Sequence, residues 1–276
     1  MIDVVDRVPT YPNRIKITHE DGTSEFVTWE RADEPTVEGT PINKALFDSI
    51  KADLGAGLST NKTVYVSGGS GSDVLGDGSS TNPYATIQKA VNSLPKNLNG
   101  FDVTIHITDG TYNEDVLVAR TFGGTVIFSG TSGANVSIRS LRVSYGSFVR
   151  IQNINLSVTG AFNNNAVAVT TANLVCLSRM QIYGEVENGI YVNFDGYVYA
   201  LELNISNTSY AAINATNRST LYAGTVTGDA PAGMFYRSVN GSLIAYNASN
   251  ANAPVVAMAT AGGRIYSGAQ SSIPNY

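Results

Sequence analysis

The chain has 276 residues, of which 43% are hydrophobic and only 14% charged, with a formal net charge of −5. That hydrophobic fraction supports a packed core and excludes a disordered chain, while a charged fraction far below the usual ~25% fits an all-β surface of short strands and small polar residues. Residues 101–276 hold nine acids, eight arginines and no lysine, so there is no basic field to gather phosphates and no nucleic-acid partner is expected.

The N-terminus, MIDVVDRVPTYP, lacks the apolar stretch of a secretory signal, so the chain is expected in the cytoplasm of the cell that makes it. No apolar run approaches the roughly 20 residues of a membrane helix, and no membrane partner is expected. Residues 14–31 predict a β-hairpin: Ile15 and Ile17 alternate with polar residues, Asp21-Gly22 supplies the turn, and Phe26, Val27 and Trp29 follow on the return strand. Thr40-Pro41 then reads as an N-cap with proline at the first helical position. Ile42, Ala45, Leu46, Ile50 and Leu54 recur at helical spacing until Gly55, Gly57 and Ser59 end the helix. Residues 1–58 are thus expected to be a separate attachment region of hairpin and short helix.

Residues 59–100 predict an opening strand, Val64-Tyr65-Val66, and a glycine-rich loop from Ser67 to Ser80. A helix follows, with Ile87, Ala90, Val91 and Leu94 on one stripe. Such a helix is expected to cover the open sheet end and apolar core of whatever follows. The loop lacks the Gly-Lys-Ser/Thr ending of a phosphate-binding loop. Its Asp73 and Asp77 are the nearest approach to a cation site, but two acids in a glycine-rich loop read more simply as turn residues. No metal site and no cofactor are expected.

Residues 101–276 repeat, and the period sets the fold class. Segments beginning at Asn173, Gly196, Ser219, Gly241 and Gly263 align with separations of 23, 23, 22 and 22 residues. A second strand pattern recurs in phase at Ala166, Gly189, Ala212, Met234 and Val256, and looser repeats lie at 104–107, 125–128 and 148–151. One coil per 22–23 residues with no intervening helix is the period of a right-handed parallel β-helix, here of about eight rungs at ~4.8 Å spacing. Leucine-rich repeats share the period but need Leu and Asn positions that are missing. Cys176 is the single cysteine, so no disulfide staples the coils.

Alternation predicts inward columns of Val149, Val175, Val198, Leu221 and Leu243; of Ile151, Leu177, Ala200, Ala223 and Ala245; and of Ile154, Met180, Leu203, Val226 and Ala248. Between the first two lies an outward column of Arg150, Cys176, Tyr199, Tyr222, Ile244 and Tyr266. An apolar and aromatic row on an outer face needs a reason. Ladder stacking, a subunit seam and a glycan-binding stripe each supply one. Tyr191, Tyr199, Tyr222, Tyr236, Ile244 and Tyr266 are therefore the candidate glycan-binding or seam residues.

Two segments carry resemblances. Residues 32–45, ADEPTVEGTPINKA, resemble a segment of tail and baseplate appendage proteins of phages and prophages of Gram-positive bacteria. There it reads ADEP, a short spacer, then GTPLNKA, and Ile42 is the main departure. Residues 65–91 are similar to the opening of pectate-lyase-like β-helices: a Tyr-Val strand, a Gly-Ser-Asp loop, then Asn82, Pro83, Tyr84, Thr86, Ile87, Gln88 and Ala90 in the family's pattern. Together these imply a phage tail fibre, tailspike or receptor-binding protein located on the virion tail. They further imply a homotrimer held to tail or baseplate proteins by the N-terminus, through Asp33, Glu34, Pro35, Gly39, Thr40, Pro41 and Asn43. The partner implied at the far end is a bacterial cell-surface glycan, either a cell-wall glycan or a teichoic acid.

Relatives of that fold include lyases and glycoside hydrolases, so catalysis must be weighed. The sequence has no Asp-Asp pair and no Gly-His-Gly. His19 beside a turn and His106 on an early strand read as structural. Glycoside hydrolysis needs two carboxylates about 5–10 Å apart. The candidates are Glu185, Glu187, Asp195 and Glu202, but Glu202 aligns with Arg179 one coil earlier, which predicts a surface ion pair. No catalytic residue is assigned. The expectation is a host-attachment protein. A polysaccharide depolymerase on the same scaffold and a non-binding spacer are the alternatives.

Overall fold

A computed structural model divides by its internal contacts into two units, residues 1–56 and 57–276. It describes residues 14–28, 57–130, 136–158, 164–171, 174–230, 233–252 and 255–267. In the first unit, Arg14–Thr18 and Ser24–Thr28 pair antiparallel. Gly22, at φ +85°, lies in the turn between them, and the His19 amide bonds the Thr23 carbonyl at 2.9 Å. The hairpin expected from Asp21-Gly22 is present. The expected helix over Ile42–Leu54 and the attachment residues Asp33, Glu34, Pro35, Gly39, Thr40, Pro41 and Asn43 lie outside the described residues.

The second unit is a parallel β-solenoid of about 6 turns. That is fewer than the eight rungs expected over residues 101–276, and the strand Lys62–Val66, which precedes them, leads into the loop and helix rather than into strands of the other faces. One face stacks Lys62–Val66, Val103–Ile107, Thr125–Gly130 and Phe148–Gln152. It continues through the first parts of Leu174–Asn193 and Tyr197–Ala215, then Thr220–Asp229, Leu243–Asn252 and Arg264–Ser267. A second face stacks Gly110–Ala119, Val136–Ser144, Asn165–Thr170, the ends of the two long strands, Met234–Val239 and Val255–Thr260. A third, shorter face lies between them, with Asn155–Val158 pairing into Ile182–Gly184.

The core is a set of inward ladders. One runs Val103, Val126, Val149, Val175, Val198, Leu221, Ile244, and all seven are buried. A second runs Ile105, Phe128, Ile151, Leu177, Ala200, Ala223, narrowing along the axis before Tyr246 takes the next position. On the third face Ile154, Met180, Leu203 and Val226 are buried as the alternation predicts. Each fully buried aliphatic side chain contributes about 1.5–3 kcal/mol, and a parallel stack repeats that gain at every coil.

The expected register fails in the penultimate coils. Ile244, not Leu243, pairs with Leu221 and is 0% exposed, while Leu243 pairs with Thr220 and is half-buried. Likewise Tyr236 pairs with Ile213, an inward position, and is 0% exposed. Ile244 and Tyr236 are therefore core residues, not outward ones. Ala245 takes the ladder position between Tyr222 and Tyr266 instead. The reason is a column of two-residue turns in the left-handed region: Phe194-Asp195, Asn217-Arg218, Asn240-Gly241 and Ala261-Gly262. Gly241 completes a turn and does not begin a strand, so the true spacing is 23 and then 21 residues. Asn and Gly tolerate that conformation best. The turn amides bond the next coil: Asp195 to the Asn217 carbonyl at 3.2 Å, Arg218 to Asn240 at 3.1 Å and Gly241 to Ala261 at 3.2 Å.

The helix Ile87–Asn92 buries Ile87, Ala90 and Val91. Its start is held by two carboxylates. Asp73 accepts the Ala85 and Thr86 amides at 2.9 and 3.0 Å and the Thr86 hydroxyl at 2.5 Å. Glu114 accepts the Ile87 and Gln88 amides at 3.0 and 2.9 Å. Helix starts leave such amides without partners inside the helix, and acidic groups there also meet the favourable end of the helix dipole.

Candidate functional site

The outward tyrosines form a ladder. Cys176, Tyr199 and Tyr222 are cross-strand neighbours. The rings of Tyr199 and Tyr222 stack at 5.5 Å with 20° between planes, and Tyr197 lies 6.3 and 5.7 Å from them. Their faces are turned toward one another along the axis. The stack explains why they are half-buried within a single chain. Burial raises the Tyr199 hydroxyl above its ordinary pKa, with smaller contributions from Tyr222 and Cys176. Burial likewise raises the Cys176 thiol, against the opposing charge of Arg150. Tyr266, farther along, is exposed. Tyr191 faces outward on the second face, half-buried, where it accepts a hydrogen bond from the Thr216 hydroxyl at 3.3 Å. The six residues chosen from sequence therefore occupy three settings: an outer ladder, a second outer face, and the core for Tyr236 and Ile244. Tyr236 stacks on Tyr246 at 4.4 Å.

Of the four carboxylates weighed for catalysis, Glu185 is exposed and the other three are engaged by neighbouring side chains. Asp195 takes a two-pronged contact from Arg218, 2.9 Å for each bond, which holds its carboxyl below the usual range. Glu202 pairs with Arg179 at 3.3 Å, the ion pair expected from their alignment. Glu187 accepts the Asn164 amide at 3.1 Å. His19 lies 3.3 Å from Glu25, and His106 meets the Tyr65 ring edge-on at 5.4 Å. Asp73 serves the helix start. Burial works to raise its carboxyl, but the Thr86 and Ala85 hydrogen bonds and the Lys89 charge prevail and keep it low. Asp77 accepts the Ser79 amide at 2.8 Å. Among the described residues no group of three or more potential ligands is placed to hold a metal ion.

A groove the sequence did not single out lies on the third face. It encloses about 440 Å³ between Asn155, Arg179, Met180, Gln181, Glu202, Leu203, Asn204, Thr225 and Thr227. Four coils contribute, because Gln181, Asn204 and Thr227 are ladder neighbours. Met180 and Leu203 form its buried floor. Arg179 and Glu202 form one rim, both in the left-handed region at φ 53°, a conformation that turns the chain from the first face into the third. The Asn155 side chain accepts the Gln181 amide at 3.0 Å, and the Asn204 amide donates to the Thr227 hydroxyl at 3.0 Å. Most of the walls are neutral hydrogen-bonding groups. The signal was present in the sequence as polar residues alternating with Met180, Leu203 and Val226, but such residues also describe any solvated face.

Comparison with known protein families, curated proteins and solved structures finds no match.

Proposed function

We propose that the chain is a tail appendage of a phage or phage-like particle, anchored through residues 1–58 and presenting its solenoid to a glycan of the bacterial surface. One observation carries the binding half of this reading. The third-face groove spans four coils and offers uncharged amide and hydroxyl groups, the donors and acceptors that match the hydroxyls of a sugar chain. The resemblances at residues 32–45 and 65–91 support the particle. The assembly proposed is a homotrimer. Half-buried Tyr199 and Tyr222 and exposed Tyr266 on one outer column supply apolar surface for its seam.

The test is binding of the labelled full chain to a panel of Gram-positive bacteria and their isolated walls, with reducing-sugar release followed in the same samples. Binding to a subset of strains without sugar release is expected. Release of reducing ends would make the protein a depolymerase. No binding across the panel would count against attachment.

A further inference from the structure

We infer that Tyr183 is the stacking platform of this groove and that the groove takes an uncharged glycan rather than a polyanion; the inference rests on the attachment reading above. Tyr183 stands two residues beyond Gln181 on the same strand, so both project outward, about 7 Å apart. It is 42% exposed. Its cross-strand neighbours are Ser157 on one side and Ser206 on the other. Tyr199 and Tyr222 stack on each other, whereas among the described residues Tyr183 has small serine side chains as its cross-strand neighbours and no aromatic ring stacked on it. An open aromatic face is what a sugar ring needs, because its polarised C–H bonds meet the negative π surface.

The backbone singles out the same place. Cross-strand pairing slips between Tyr183 and Val186, where the coil carries one residue more than its neighbour, and Gly184 sits at φ +125°. Such a bulge re-aims the side chain beside it and is enriched at functional sites. Ser206 donates to the Asn204 side chain at 3.0 Å, which joins the platform to the polar groove. The charges around the site decide the ligand class. Arg179 is the cation among the described residues lining the groove and is already paired with Glu202, while Glu185 is exposed beside the bulge and Asp229 accepts the Asn207 amide at 2.6 Å. A phosphate-rich chain would meet an acidic margin and a cation that is already engaged.

The experiment uses the full chain on an array of uncharged hexose and N-acetylhexosamine oligosaccharides, with polyglycerol phosphate in parallel and the bacterial panel as reference. Tyr183→Ala is expected to weaken binding about tenfold or more, Tyr183→Phe to stay within about twofold, and Tyr145→Ala, at an exposed tyrosine elsewhere, to change nothing. Circular dichroism checks that each variant folds. Salt-sensitive binding to polyglycerol phosphate alone overturns the ligand class. Binding to glycans or cells that Tyr183→Ala leaves unchanged overturns the site and spares the attachment reading. A wild-type chain that binds neither array nor cells overturns both.

Discussion

The side-chain amide of Asn240 donates to the side-chain oxygen of Asn217 at 2.9 Å, and Asn217 donates in turn to Asn193 at 2.8 Å. This ladder runs beside the turn column and holds consecutive coils in register where the apolar pattern is ambiguous. Asn217→Ala should lose both bonds and place a non-glycine, non-asparagine residue at φ 53°. A loss of about 1–3 kcal/mol follows, or a melting temperature lower by about 2–4 °C per kcal/mol. Asn217→Gly relieves the backbone and keeps only the ladder loss. Thermal unfolding of the pair separates the two contributions; equal losses would assign the whole effect to the side-chain bonds.

Register predicts a contrast between neighbours. Ile244 is buried over Leu221, whereas Leu243 is half-buried over Thr220. Ile244→Ala should cost about 2–5 kcal/mol and Leu243→Ala well under half of that. Urea denaturation measures both. The reverse order would restore the 22-residue alignment.

The cap at the helix start should be sensitive to acid. The Asp73 carboxyl is held below its ordinary value in the folded chain. Its contribution is therefore complete above the unfolded pKa of about 3.9 and is lost as pH falls through the lower folded value. Asp73→Ala should cost about 1–2 kcal/mol at neutral pH, and the gap to wild type should narrow below about pH 4. A gap that stays constant from pH 7 to 3 would show that the carboxylate charge is not what holds the cap.

The tyrosine ladder distinguishes stacking from a subunit seam. Tyr222→Ala removes the ring from the 5.5 Å stack with Tyr199 and should cost the isolated coil about 0.5–1.5 kcal/mol beyond burial. Tyr222→Asp should in addition dissociate the proposed trimer. Light scattering at micromolar concentration reads the outcome: a monomeric wild type removes the trimer, and a trimer that survives Tyr222→Asp moves the seam to another face.

Contacts divide the chain at Ala56 and Gly57. A chain beginning at Gly57 should therefore fold cooperatively, and the attachment proposed for residues 1–58 adds that it should fail to assemble onto particles. Insoluble product would make the N-terminal residues part of the folding unit.

The period of the repeat, the inward positions of Val175, Val198 and Leu221, the ion pair of Arg179 with Glu202 and the turn at Asp21-Gly22 were all legible in the sequence. Each depends on strict alternation or a local turn preference, which a single chain displays residue by residue. The positions of Tyr236 and Ile244 were not legible, because aligning leucine with leucine and aligning asparagine with asparagine give registers one residue apart. Only the stacked turns and their cross-coil hydrogen bonds decide between them, and a one-residue slip sends every side chain to the other face. The purpose of Asp73 was equally hidden, since its partners Ala85 and Thr86 are twelve and thirteen residues away. The groove is the extreme case. Asn155, Gln181, Asn204 and Thr227 are each separated by more than twenty residues in the chain, and only coiling at one turn per 23 or so residues brings them side by side, two residues along the strand from exposed Tyr183.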